Sequence, residues 1–177
     1  MGLASFLKKI KINNISFDTN VLVGLVLYPN NVQLVEMVLH DEKYDDRLAE
    51  KISTKISEYV INETITVLEK MDEDPKKINK FIETYNIFLI TSDNIDNSVA
   101  RSLIKKVNTK GFQDKIKKYQ TLYKKHGSDF IFELPDARIV ASLLRGEVNF
   151  VFSNDPAFRL LANAAGIIGE DLKMTLN

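Results

Sequence analysis

Four acids in this 177-residue chain pose the chemical question. Asp18 stands in FDTNVLVG, directly after a strand-like run. Glu63 lies in VINETITVLEK, Asp136 in PDARIVASLL, and Asp155 in FSNDPAF after a second strand-like run. Each has a plain reading on its own. Asp18-Thr19-Asn20 can be a turn that caps the next helix. Asp155-Pro156 is a good N-cap followed by proline at the first helical position. Asp136 suits the positive end of a helix, and Glu63 can be an ordinary solvated helix residue. Taken together they read differently. Two carboxylates about 5 Å apart repel by roughly 3 kcal/mol at an effective dielectric near 20. A cluster of them with no adjacent basic residue is costly unless it holds a cation. The chain has no cysteine, and its two histidines are His40 and His126. Any ligands are therefore mainly oxygens, which points to Mg²⁺ or Mn²⁺. Such an ion activates water and stabilises charge on a phosphodiester.

Whether the acids meet depends on the elements that carry them. Ile12 to Phe17 reads as a short strand and Val21 to Leu27 as the start of a buried helix. The helical pattern breaks at Pro29-Asn30-Asn31, resumes from Val32 to Leu39, and gives way to an acidic bend at residues 41–46. Lys51 to Ile56 reads as a strand, with Ser57 capping the helix EYVINETITVLEKM. Pro75 opens a helix with Ile78, Phe81, Ile82 and Tyr85 on one face. Ile87 to Ile90 reads as a buried strand, and Ser92 or Asp93 caps a helix running to about Val107. After Gly111, Phe112, Ile116, Tyr119 and Tyr123 share the face of a further, lysine-rich helix. Pro135 and Pro156 open two more helices on either side of the strand Val148 to Phe152. This alternation predicts an α/β fold, a three-layer sandwich with a short, mostly parallel central sheet between helices. Ligands of such sheets bind at the carboxyl ends of the strands. Asp18 and Asp155 follow strands directly, so three or all four acids are expected at one edge.

Composition narrows the class. An apolar fraction of 45% and a charged fraction of 27% fit a soluble globule of one domain. The absence of cysteine accords with a reducing cytoplasm. No run approaches the roughly 20 apolar residues of a membrane span. The start MGLASFLKKIK places its lysines after the apolar patch, unlike a secretory signal, and Phe6 breaks the myristoylation pattern opened by Gly2. The zero net charge hides an asymmetry. Residues 101–126 carry nine basic residues against the single acid Asp114, so the rest of the chain is acidic by eight charges. Such a segment is either a solvated helical face or a clamp for a polyanion. Its tyrosines, Tyr119 and Tyr123, could stack on bases, but their shared face with Ile116 favours the core.

The set ISFDTNVL, Glu63 in VINETITVLEK, PDARIVASLL and FVFSNDPAF resembles the four acidic motifs of PIN-domain ribonucleases, in particular VapC-type toxins and their archaeal cousins. The resemblance runs from about residue 12 to 168. It implies a metal-dependent endoribonuclease that hydrolyses RNA phosphodiester bonds. Asp18, Asp136 and Asp155 would hold Mg²⁺ or Mn²⁺, and Glu63 would complete the acidic pocket. Asn20 and Ser153 would be supporting groups. The expected partners are an RNA substrate, an antitoxin protein and a second copy of the chain. The expected organisation is one PIN-like domain over 1–177 with a basic helical insertion at about 93–128. That insertion is where the chain departs from the compact toxins, and its Lys105, Lys106, Lys115, Lys117, Lys118, Lys124 and Lys125 are the candidates for RNA binding, against the reading of a solvated helical face. Two alternatives stay open: a catalytically silent PIN scaffold that binds RNA or a protein, and an RNA-processing nuclease that is not a toxin. An aspartyl phosphatase is disfavoured by Asn20, where a second acid is needed. A dinucleotide binder is disfavoured by the lack of a Gly-rich loop after the first strand.

Overall fold

The computed structural model describes residues 13–28 and 53–171. The readings placed on 29–52 and on the start of the chain lie outside them. Among the described residues five strands form one sheet in the order β3-β2-β1-β4-β5, and every pairing is parallel. They are β1 Asn14–Phe17, β2 Ser53–Ser57, β3 Phe88–Ile90, β4 Phe150–Phe152 and β5 Ile168–Glu170. Seven α-helices accompany them among the described residues. These are α1 Thr19–Leu27, α2 Glu58–Lys70, α3 Lys76–Thr84, α4 Ile95–Val107, α5 Gln113–Lys125, α6 Leu134–Arg145 and α7 Pro156–Ala165. Parallel crossovers are right-handed. Steps from β1 to β2 to β3 therefore put α1–α3 on one face, and the return through β4 to β5 puts α4–α7 on the other. The expected α/β sandwich is the architecture observed.

The centre is apolar on both faces because a buried parallel strand needs cover on each. Ile15 and Phe17 of β1 and Phe150, Val151 and Phe152 of β4 are buried, with Phe17 stacked on Phe152 at 5.8 Å between ring centroids. On the second face α4 packs on α6 through Ala100, Leu103 and Val107. The junction is closed by buried Asp96, whose two oxygens accept from Arg145 Nε and Nη2 at 3.1 Å each.

Two sequence expectations are corrected. The run Ile87 to Ile90 is not a buried strand: Phe88 and Leu89 are 57% and 54% exposed. Ile87 and Ile90 at the two ends of the run are buried, but the strand is the sheet's outer edge, bonded to β2 alone, and its middle residues lack the cover of a central strand. The second concerns Ile168–Glu170, which the sequence did not suggest as a strand and which pairs with β4 as β5. Its three residues include Gly169 and Glu170, so no apolar alternation marks it. Tyr119 and Tyr123 pack on Phe130 at 5.4 and 5.2 Å, as the face shared with Ile116 favoured.

Candidate active site

The sheet order fixes where a ligand can sit. From β1 the chain proceeds to β2 on one side, while β4 pairs with β1 on the other. The crevice outside the carboxyl ends of β1 and β4 is thus the topological switch point. Phe17 and Phe152 are in register, so the residues after them, Asp18 and Ser153, emerge side by side; Asp18 N donates to the Phe152 carbonyl at 2.9 Å.

Both plain readings of the strand-end acids hold. Asp18 caps α1, accepting from Val21 N at 2.9 Å, and Asp155 caps α7, accepting from Ala157 N at 2.7 Å. Capping does not remove them from the crevice. Asp18, Asn20, Glu63, Asp136 and Asp155 line one cavity of about 40 Å³ with Thr19, Ile139 and Phe158. Four acids from four elements therefore border one space, Asp136 from the first turn of α6 and Glu63 from the middle of α2. Such a volume holds a few waters, each needing about 10–15 Å³ by this measure, and not a nucleotide.

Hydroxyl groups hold two of these acids. Ser153 is fully buried; its Oγ donates to Asp18 Oδ2 and accepts from Asp155 N at 3.0 Å, so it ties the first acid to the last. Thr19, buried beside Asp18, donates from Oγ1 to Glu63 Oε2 at 2.6 Å. Sequence reasoning passed over Thr19. Its signal was its place inside DTN, a hydroxyl between two polar residues at a strand end.

Among the described residues no lysine or arginine forms an ion pair with any of the four. Arg159, one turn beyond Asp155, instead donates to the Ser153 carbonyl at 2.6 Å and reaches Asp171 at 3.5 Å. The result is a strained charge balance. Burial, partly offset by the hydrogen bonds from Ser153 and Val21, raises the pKa of Asp18 from 3.8 to about 6, with Asp155 and Glu63 adding repulsion. Asp136 rises to about 7, through desolvation first and then the charges of Asp155, Glu133, Glu63 and Asp18. The donor set, all hard oxygens with uncompensated negative charge, fits Mg²⁺ or Mn²⁺ in chemistry. Among the described residues no three acids are gathered closely enough to hold an ion, and oxygens of Asp18, Glu63 and Asp155 are engaged in caps and hydroxyl bonds.

The basic helices lie on the exterior. Lys105 and Lys106 of α4 and Lys115, Lys117, Lys118, Lys124 and Lys125 of α5 are exposed and form no ion pair among the described residues. On α5, burial raises the pKa of the Tyr123 hydroxyl, with the charge of Asp155 adding to the rise and that of Arg159 opposing it.

No family model and no curated protein matches the chain. Solved structures do. The chain aligns over 89% of its length with 98% of a chain from VapBC2 of Rickettsia felis bound to a DNA fragment from its promoter, at 16% identity and a TM-score of 0.51. It also aligns with FitAB bound to the IR36 DNA fragment (15% identity, 89% of this chain and 94% of that one, TM-score 0.49). A third is VapC20 of Mycobacterium tuberculosis, a toxin cleaving the sarcin-ricin loop (13% identity, 87% and 96%, TM-score 0.44). At these identities the likeness is one of fold, and it rests on the first of the three. The chain has a VapC-like PIN fold.

Proposed function

We propose that the chain is a metal-dependent endoribonuclease that hydrolyses RNA phosphodiester bonds at the cavity of Asp18, Glu63, Asp136 and Asp155. One observation carries this reading: four carboxylates from four elements border a single cavity at the switch point of the sheet, with no ion-pair partner among the described residues. Such crowding is unfavourable in isolation and becomes favourable around a divalent cation. Asp18, Asp136 and Asp155 would hold Mg²⁺ or Mn²⁺, with Glu63 completing the pocket. The bound ion would supply positive charge to the scissile phosphate and lower the pKa of a water.

The chain's own groups set the geometry. Ser153 fixes one oxygen of Asp18 and Thr19 fixes one of Glu63, which limits the rotamers open to each. Asn20, exposed at the cavity wall, can donate its amide to a phosphate oxygen. A cavity too small for a nucleotide keeps the base and ribose outside, so the RNA lies across the mouth. The exposed lysines of α4 and α5 would attract its backbone from one side. The fold shared with a VapBC2 chain supports, as a further part of the reading, a toxin role with an antitoxin protein as partner. A homodimer belongs to the same reading.

The test is cleavage of labelled RNA in Mg²⁺, Mn²⁺ or EDTA by the wild type and by Asp18→Asn. Cleavage abolished by EDTA and by the substitution is the expected result. A folded wild type that binds RNA and leaves it intact with either metal would favour the silent scaffold instead.

A further inference from the structure

A second polar depression lies on the same edge of the sheet, at the carboxyl ends of β2 and β3. It measures about 270 Å³ and is lined by Tyr59, Ser92, Asp93 and Asn94. That is just under the roughly 300–1,000 Å³ of small-ligand pockets. Two helices join it to the acidic cavity. Tyr59 and Glu63 are four residues apart on α2, hence on one face and about 6 Å from each other; one lines the depression and the other the cavity. On α6, Asp136 faces the cavity, while Arg138 stands close enough for its charge to act on the Tyr59 hydroxyl.

The groups here differ in how far they are engaged. Glu58 accepts from Ser92 N at 2.7 Å, Asp96 is bound by Arg145, and one oxygen of Asp93 accepts from Ile95 N at 2.9 Å. Arg138 is half-buried and, among the described residues, makes no hydrogen bond or ion pair; its Nε is buried without a partner. The exposed Asn94 amide makes no capping bond. A cation and an amide are thus left unengaged beside the depression, while Tyr59 packs partly on the core, donates its hydroxyl to the Asp93 carbonyl at 3.4 Å and lines the depression with the half-exposed remainder of its ring. Leaving a buried guanidinium nitrogen unpaired is unfavourable and calls for a partner from outside the chain.

We infer that this depression is a nucleotide subsite: it takes the unpaired ribonucleotide next to the scissile phosphate. Arg138 meets a phosphate oxygen, the base lies against the Tyr59 ring, and Asn94 and Asp93 read its hydrogen-bonding edge. The inference rests on the ribonuclease reading above and adds to it the place where the neighbouring nucleotide is held; that base must be unpaired, since a paired base has its edge occupied and cannot leave the stack without cost.

The experiment uses the full chain and a randomised single-stranded RNA pool with Mn²⁺, the bases flanking each cut being read by sequencing. The wild type should prefer one base at one position beside the cut, and Asn94→Ala should flatten that preference. Replacing that nucleotide by an abasic ribose should lower kcat/KM about fivefold or more for the wild type, as loss of one stacked base does, and leave Tyr59→Ala unchanged. Arg138→Gln should raise KM by a similar factor. Melting curves confirm that each variant is folded, with Tyr59→Leu replacing Tyr59→Ala if the latter is not. Random bases around the cuts, or equal cleavage of the abasic RNA by the wild type, would overturn the subsite and leave the nuclease standing. If the wild type cuts no RNA, the nuclease reading falls, and fluorescence anisotropy of the same RNA in EDTA decides the subsite. Weaker binding by Arg138→Gln and Asn94→Ala then supports it, and unchanged binding removes it.

Discussion

Replacing Asp18 by asparagine should stabilise the metal-free protein at pH 8, although Asp18 sits at the centre of the site. Asp18 is 4% exposed and its pKa is raised from 3.8 to about 6. A carboxyl raised in the folded state binds protons more tightly there than in the unfolded chain. Stability therefore falls as pH rises from about 4 through about 6, the reverse of the usual carboxylate. A shift of about 2 units corresponds to roughly 3 kcal/mol, lost in full above the folded pKa. Asparagine removes the charge and can still accept from Val21 N. Its amide nitrogen meets Ser153 Oγ, so one charge-assisted bond is exchanged for a neutral one, at a cost of about 1 kcal/mol. The net gain is roughly 2 kcal/mol at pH 8 in EDTA, and nothing near pH 4, where Asp18 is largely protonated. In urea this moves the midpoint upward by about 1 M, for a slope near 2 kcal/mol/M. Millimolar Mn²⁺ should raise the wild type by about 2.7 kcal/mol at hundredfold saturation and leave Asp18→Asn nearly unmoved. A variant no more stable than wild type at pH 8, with the same pH dependence, would refute the argument that burial, with the neighbouring acids adding to it, penalises the Asp18 charge.

Other predictions follow the same geometry. Thr19→Val frees Glu63 and should lower kcat about tenfold while Thr19→Ser retains it; equal rates for both would show that the hydroxyl bond is idle. Lys117→Glu/Lys118→Glu on α5 should weaken RNA binding and flatten its dependence on salt by about 0.7 of a logarithmic unit per lost contact, measured by anisotropy titration. Arg145→Met leaves the buried Asp96 carboxylate without its cation and should cost about 3 kcal/mol in urea denaturation; a loss under 1 kcal/mol would mean that water replaces the guanidinium.

Legibility in the sequence followed locality. The caps were readable because an N-cap is a relation within three residues: Ser57, Asp18 and Asp155 all accept from the first turn of the helix they precede. The alternation of strands and helices was readable for the same reason. The edge position of β3 was not, since the apolar run Ile87 to Ile90 looks the same at the centre of a sheet and at its rim. Thr19 was missed because its partner Glu63 lies 44 residues away.

The sequence by itself determined the donor chemistry. With no cysteine and two histidines, any cation site here must be built mainly of oxygens, and the strand-end acids were visible as DTN and SND. Only the tertiary structure decided that these oxygens border one cavity. That follows from β4 crossing the sheet to pair with β1 in register at Phe17 and Phe152, which brings Ser153 and Asp155 beside Asp18 across more than a hundred residues. Strand order depends on how the whole apolar surface is covered, and no local pattern encodes it.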